Sequence, residues 1–243
     1  MKEEWTERAR ALLGDSAFER LAAVRIAVFG VGGVGGWCAE ALLRTGARHL
    51  TLIDDDTVAP SNINRQRQAT PSMIGRSKVE VLREILLEIA PDAQVDARNE
   101  RYTPQNAATF DALLSESNFV IDAIDSVDCK AHLIRSAISR KATIFSSMGA
   151  ALRFDPTRIR TAPFHKVTGD GLARALRNRF RKEGVPLPHH LCVYSEESPR
   201  SLPATLKGSI MPVTCAFGMA LASLVISRLS PPRETPPPAK GQA

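Results

Sequence analysis

The sequence predicts an α/β protein built on a doubly wound, mostly parallel sheet, with a smaller C-terminal α+β extension. Three observations predict it. Through residues 1–150, short apolar runs alternate with helical stretches, the pattern of a parallel sheet covered on both faces. The run Gly30-Val31-Gly32-Gly33-Val34-Gly35-Gly36 directly follows the first apolar run and opens a helix, which makes the layer Rossmann-like. Beyond residue 150 the alternation gives way to short strands, one basic helix and one uncharged helix.

The elements follow in order. Residues 1–22 read as two short helices, with Trp5, Ala9, Leu12 and Leu13 on one face of the first and Gly14 as its stop. Val24–Phe29 is an apolar strand. A helix runs from about Val34 to Thr45 and ends at Gly46, as expected of a helix C-terminus. His49–Ile53 is the second strand. Ser77 and Glu80 form a capping-box pattern at the start of a helix reaching Ala90, with Val81, Ile85 and Ile89 recurring every four residues. Ala93–Ala97 is the third strand. Thr103-Pro104 starts a helix running to about Leu114. Asn118–Ala123 is a strand, Ser126–Ser139 a helix and Ala142–Ser146 a strand.

Residues 151–230 form the second region, packed on the same sheet. Ala151–Phe154 and Arg158–Arg160 are two short strands around the turn at Asp155-Pro156. The basic helix spans Gly171–Lys182, a strand covers Leu191–Tyr194, and a loop with Pro199 and Pro203 leads into the last helix. Residues 231–243 are proline-rich and are expected to be a disordered tail.

Composition narrows the function classes. The 243 residues are 44% hydrophobic and 24% charged, which excludes a wholly disordered or collagen-like chain. The net charge of +6 suits an anionic partner without requiring one. The cysteines Cys38, Cys129, Cys192 and Cys215 form no C-x-x-C pair, so zinc-ribbon spacing is absent. The N-terminal MKEEWTERAR lacks the apolar core of a signal peptide, and a cytoplasmic setting with free thiols is expected. Ile210–Ser227 carries no charge, but a helix starting near Val213 leaves about 15 residues, too few for a hydrocarbon core of about 30 Å. No membrane insertion is expected.

The glycine run points to nucleotide. Gly30, Gly32, Gly33 and Gly35 let backbone approach phosphate closely, at a helix N-terminus whose N–H groups are open. Asp54 ends the second strand, 24 residues after Gly30, where a carboxylate accepts ribose hydroxyls. Asp56 is assigned to the loop that follows. These features admit NAD, FAD or ATP.

Ser61, Asn62, Asn64, Arg65 and Gln66 shift the balance toward ATP. A polar, arginine-bearing loop serves an enzyme that splits a triphosphate, because charge builds on the phosphates in the transition state. Lys78 stands in the first turn of a helix, where the dipole disfavours a cation; a bound anion explains it. Asp125 and Ser126 follow the fourth strand at the carboxyl edge of the sheet. Asp125 is the expected Mg²⁺-side carboxylate and Asp122 a structural one. Between Arg153 and Lys182 lie nine Lys or Arg and two Asp. Arg174, Arg177 and Arg181 form a basic stripe opposite Leu172, Leu176 and Phe180, suited to a nucleic-acid backbone and expected to stand apart from the nucleotide site.

The segments GxGGVGG, LIDDDTV, SNINRQ, Lys78 and DAID resemble the ubiquitin-activating-like ThiF/MoeB superfamily of adenylating enzymes over about residues 8–229. Within it, FDPTRIR, GDGLARALRNRFRKEG, CVYSEESP and GSIMPV are similar to the branch that cyclises threonylcarbamoyladenosine in tRNA. The resemblance implies an ATP- and Mg²⁺-dependent adenylating dehydratase, a homodimer and a tRNA substrate. It also admits a cysteine desulfurase or sulphur-acceptor system as a partner. It implies phosphate contacts for Gly33, Ser61 to Arg65 and Lys78, ribose contact for Asp54, and a site closed by Asp125 and Ser126. Arg65, Lys78 and Asp125 become the catalytic set, and Arg65 reaches across the dimer in related enzymes. Gly36 departs from the family's usual serine. The alternative is an activator of a ubiquitin-like sulphur carrier, disfavoured by the missing zinc cysteine pairs and by the basic helix. A dinucleotide-dependent oxidoreductase is disfavoured by Arg65 and Lys78.

Overall fold

The central strand-forming runs, such as residues 26–29 and 119–121, are short and apolar on both sides, so they are stable only in the middle of a layered structure. A computed structural model describes residues 4–201, 203 and 208–230. Its strands are β1 (Arg25–Phe29), β2 (His49–Ile53), β3 (Gln94–Arg98), β4 (Phe119–Asp122), β5 (Thr143–Ser147), β6 (Ile159–Pro163) and β7 (Leu191–Ser195). They form one sheet in the order β3-β2-β1-β4-β5-β7-β6. All pairings are parallel except β6 with β7. The C-terminal region thus completes the same sheet, with β7 beside β5.

The helices are α1 (Glu7–Leu13), α2 (Asp15–Ala23), α3 (Gly35–Thr45), α4 (Lys78–Ile89), α5 (Asp111–Glu116), α6 (Val127–Ser139), α7 (Gly171–Lys182) and α8 (Met211–Leu229). Strand residues alternate between two cores. Ile26, Val28, Leu50, Leu52 and Ile121 face α3, α4 and α8; Ala27, Phe29, Val120 and Ile144 face α5, α6 and α7. Such two-sided burial is why these runs read as continuously apolar rather than alternating.

Several local expectations are corrected. No side chain of α1 is fully buried: Leu13 packs partly against the core and Trp5 lies under Arg48, whereas Leu12, expected on the same face, is 84% exposed. Ser77 makes no capping bond at α4; its Oγ is buried without a partner among the described residues. The helix expected from Thr103 starts later, because Asn106 Oδ1 accepts from the Thr103 N–H and holds a turn there. The chain then enters a 3-10 turn at Ala107–Phe110 before α5. Ala151–Phe154 is not a strand: Leu152 has a φ of 63°, which breaks extended pairing. The proline-rich stretch 231–243 lies outside the described residues.

The last helix begins at Met211, not near Val213, because Pro212 fits the first turn. Its 19 residues are long and apolar enough to cross a membrane, yet Val213, Phe217, Leu221 and Val225 are buried in the core against α3 and the sheet. Gly218 makes that packing close: a Cβ there would stand 2.5 Å from the Val34 carbonyl oxygen.

Candidate active site

The sheet order reverses between β1 and β4, where the loops after these two strands diverge and leave a crevice at the carboxyl edge. A cleft of about 900 Å³ lies there. It is lined by Gly30, Gly32 and Gly33, by Asp54 and Asp56, by Asn62, Arg65 and Gln66, and by Lys78, Asp125 and Ser126. Gly35, Ser61 and Asn64 do not line it.

Each wall has a local cause. Gly30 takes a φ of 84°, which turns the chain out of β1. Gly35 opens α3 directly beneath it: a Cβ on Gly35 would sit 1.9 Å from the Gly30 carbonyl oxygen. Gly35 is therefore a packing residue that lets helix and loop touch, and does not face the cleft. No side chain caps α3 among the described residues, and the Gly36 N–H is taken by the Gly32 carbonyl at 3.2 Å, which leaves the N–H groups just before it for an anion. The Ser61–Gln66 loop is braced from outside. Asn62 Oδ1 accepts from Ala59 N–H at 3.0 Å, Asn64 Nδ2 donates to the Ser209 carbonyl at 2.8 Å, and Trp37 Nε1 donates to the Arg65 carbonyl at 3.0 Å. Arg65 Nη1 is held by the Ser61 carbonyl at 2.8 Å and Asn64 Oδ1 at 2.9 Å. Ser61 and Asn64 thus act on Arg65 rather than on the cleft.

Asp54 Oδ2 accepts from the Val31 N–H at 2.8 Å, and Oδ1 from the Asp56 N–H at 2.9 Å. Burial pushes its carboxyl pKa up, against these two bonds and the Lys78 charge. Lys78 is corrected in its cause. Its Nζ lies 2.6 Å from Asp56 Oδ2, so the anion that compensates a cation at the head of α4 is supplied by the chain itself. Lys78 is 5% exposed and remains in the cleft wall.

The carboxylates at and just after the end of β4 differ in burial. Asp122 is fully buried, bonded to Lys130 Nζ at 2.8 Å and Ser146 Oγ at 2.7 Å. Asp125 is exposed in the cleft. The one group of three acids close enough to share an ion among the described residues is Asp54, Asp55 and Asp56, and excludes Asp125. Cys38, Cys129 and Cys192 are buried, and burial pushes the Cys38 and Cys192 thiols up, which suppresses a reactive thiolate.

The basic helix α7 is less separate than expected. Asp170, Gly171 and Leu172, at its N-terminal end, line the same cleft. Arg174 and Arg181 are exposed, whereas Arg177 donates to the Val167 carbonyl at 2.9 Å and lies over the Phe164 ring. Arg177 is therefore partly spent on packing.

A model of the ThiF family matches residues 6–240. The chain belongs to the ThiF family. Its similarity within the ThiF family extends to named enzymes. The tRNA threonylcarbamoyladenosine dehydratase of Bacillus subtilis (strain 168) is 36% identical over 193 residues, covering 79% of this chain and 74% of that protein. The Escherichia coli (strain K12) enzyme of the same name is 35% identical over 243 residues, covering 93% of this chain and 90% of that protein. The crystal structure of the E. coli dehydratase TcdA in complex with ATP superposes with a TM-score of 0.86 at 35% identity, over 92% of this chain and 93% of that one.

Residues missed at the level of sequence support and line the cleft. Gln68 is fully buried and donates from Nε2 to the Val31 carbonyl at 2.7 Å, anchoring the glycine loop. Lys130 donates to the carbonyls of Asp122 and Ile124 and so shapes the turn before Asp125. A signal for it existed: Lys130 falls on the apolar face of α6, three and four residues before Leu133 and Ile134. Ser147, Gly149 and Arg153 also line the cleft, and nothing local in the sequence marks them.

Proposed function

We propose that this protein is an ATP-dependent tRNA threonylcarbamoyladenosine dehydratase. The observation that carries the reading is the single cleft shared by the glycine loop, Asp54, Arg65, Lys78, Asp125 and Ser126, in a chain this similar to the dehydratases. A carboxylate oxygen of the threonylcarbamoyl group attacks the α-phosphorus of ATP. The bond to pyrophosphate breaks, and a mixed anhydride with AMP forms. An atom of the carbamoyl group then attacks the activated carbonyl carbon and gives up its proton. AMP leaves with the oxygen that the carboxylate lost, so the nucleoside loses water overall.

The glycine loop between Val31 and Gly36, whose own N–H groups are taken by Asp54 and the Gly32 carbonyl, suits the phosphates at the head of α3, and Asp54 keeps acceptor capacity for ribose. Arg65 and Lys78 supply positive charge where negative charge accumulates. Asp125, an exposed cleft carboxylate, fits Mg²⁺, a metal that takes one or two protein carboxylates and completes its shell with phosphate and water. Bound there, the ion would neutralise phosphate charge.

The reading includes a soluble, cytoplasmic homodimer acting on tRNA, with a sulphur-transfer system as a candidate partner. Exposed apolar Ile63, Met211 and Met219 support self-association. Exposed Arg174 and Arg181 on a helix whose first turn meets the cleft support a tRNA track into the site.

Pyrophosphate release from ATP tests the reading. It is expected to be stimulated by tRNA carrying threonylcarbamoyladenosine, and in Arg174→Glu/Arg181→Glu the log–log salt dependence of tRNA binding flattens by about one unit per lost contact. Stimulation by a ubiquitin-like carrier protein instead of tRNA would establish the sulphur-carrier alternative.

A further inference from the structure

The cleft has two ends. The loops after β1, β2 and β4 build one. Residues 147–153 after β5, together with Asp170, Gly171, Leu172, Pro199 and Ser209, build the other. Arg153 is the cation of this second end and is 5% exposed. Its Nη2 donates to the Gly169 carbonyl at 3.2 Å and lies 3.6 Å from Asp170 Oδ2. Its Nε and Nη1 are buried and have no acceptor among the described residues. A guanidinium carries five N–H donors, and buried donors in native proteins are almost always satisfied.

The surroundings hold this side chain in place. Asp170 accepts from the Gly149 N–H at 3.0 Å and the Ala173 N–H at 2.8 Å, so its charge is satisfied independently of Arg153. Leu152 is forced to a φ of 63°, strained for a branched side chain. It is clamped on both sides, by its N–H to the Gly208 carbonyl and its carbonyl from the Arg200 N–H, each 2.8 Å. The neighbouring cleft wall is Gly149, Ala150 and Ala151, with the Asp170 carboxylate filling the space beside Gly149.

Resting on the dehydratase reading, we infer that Arg153 binds the free carboxylate of the threonylcarbamoyl group, holding it before transfer to the α-phosphorus. A carboxylate offers acceptors to the two unsatisfied nitrogens, and it is the anionic group that must enter the cleft from the side opposite the nucleotide. Arg153 thereby selects the open, acidic form of the nucleoside over the cyclised product, which has no carboxylate.

The test compares three tRNAs on the full-length protein: one carrying linear threonylcarbamoyladenosine, one carrying the cyclised product, and one unmodified. Tight preference for the linear form is expected of the wild type. Arg153→Met keeps the aliphatic stem and removes the donors. It is expected to lose about tenfold in that preference and to raise KM for linear tRNA, with ATP affinity unchanged within about twofold. If the methionine variant does not fold, Arg153→Gln, which retains a donor for the Gly169 carbonyl, is read in the same way. An unchanged preference in a folded variant overturns the inference. An equal loss for all three tRNAs also overturns it and makes Arg153 a backbone-phosphate contact. Absence of tRNA-stimulated pyrophosphate release in the wild type would instead sink the dehydratase reading, and the inference with it.

Discussion

Replacing Lys130 with methionine tests the part of the site least visible from outside. Lys130 and Asp122 are both fully enclosed, with Nζ 2.8 Å from Asp122 Oδ2, 3.3 Å from the Asp122 carbonyl and 3.0 Å from the Ile124 carbonyl. Removing one partner of a buried ion pair costs about 3–5 kcal/mol. Asp122 would keep Ser146 Oγ at 2.7 Å and the Ile124 N–H at 3.2 Å, which places the cost at the lower end, about 3 kcal/mol. For a chain of this size that corresponds to a fall in Tm of about 6–12 °C. The Ile124 carbonyl also loses its donor, so the turn carrying Asp125 loosens and ATP affinity falls with stability. Urea unfolding at constant m, thermal unfolding and ATP titration measure the three effects. The double variant Asp122→Asn/Lys130→Met removes both charges and is expected to recover much of the lost stability. A single variant that loses under about 1 kcal/mol, or a double variant no more stable than the single, refutes the assignment of this pair as the support of the Asp125 turn.

Two further predictions concern the loop and the acid limb. Gly35→Ala places a Cβ 1.9 Å from the Gly30 carbonyl oxygen, so backbone must move; a loss of about 1–3 kcal/mol and of ATP binding is expected. Gly32→Ala meets nothing nearer than Gln66 Nε2 at 3.8 Å and is expected to stay within about 0.5 kcal/mol of the wild type while weakening ATP; equal stability losses in the two variants contradict the packing role of Gly35. His190, bonded to Ser146 Oγ and stacked on Phe164, is pushed down to about 3 by burial and then by Lys130. The unfolded chain takes up this proton near its ordinary 6.5 and the native state refuses it, so stability present above that pH is lost as pH falls toward 3. The slope is at most about 1.4 kcal/mol per pH unit. His190→Gln is expected to flatten that limb in denaturation measured between pH 7.5 and 5, and identical slopes in the two proteins would dismiss His190 as its source.

Much of this was legible in the sequence because it is local. The bounds of β2 and α7 coincide with the expected ones, since apolar spacing and capping act within a few residues. The glycine loop was legible too, because close approach of β1 to α3 demands glycine at Gly30 and Gly35 in a fixed spacing. Local signals also misled where a distant partner decided. Ser77 matched a capping box and makes no cap, and Lys78 at the head of α4 looked like a cation without a partner in the chain although Asp56 lies 2.6 Å away.

The sequence by itself determined the doubly wound class, the strand-glycine-helix turn and the polar loop, all properties of residues within one turn or one strand of each other. Only the tertiary structure decided which polar residues share an environment. Asp122, Lys130 and Ser146 come from three elements and His190 from the loop entering β7, and they meet because β4, β5 and β7 lie side by side under α6. Arg153 is buried beside Asp170 by a strained turn whose bonds run to residues 200 and 208. Spacing along the chain carries no record of such meetings. Burial removes competing water, so a contact between residues far apart in sequence becomes strong only once the sheet has closed.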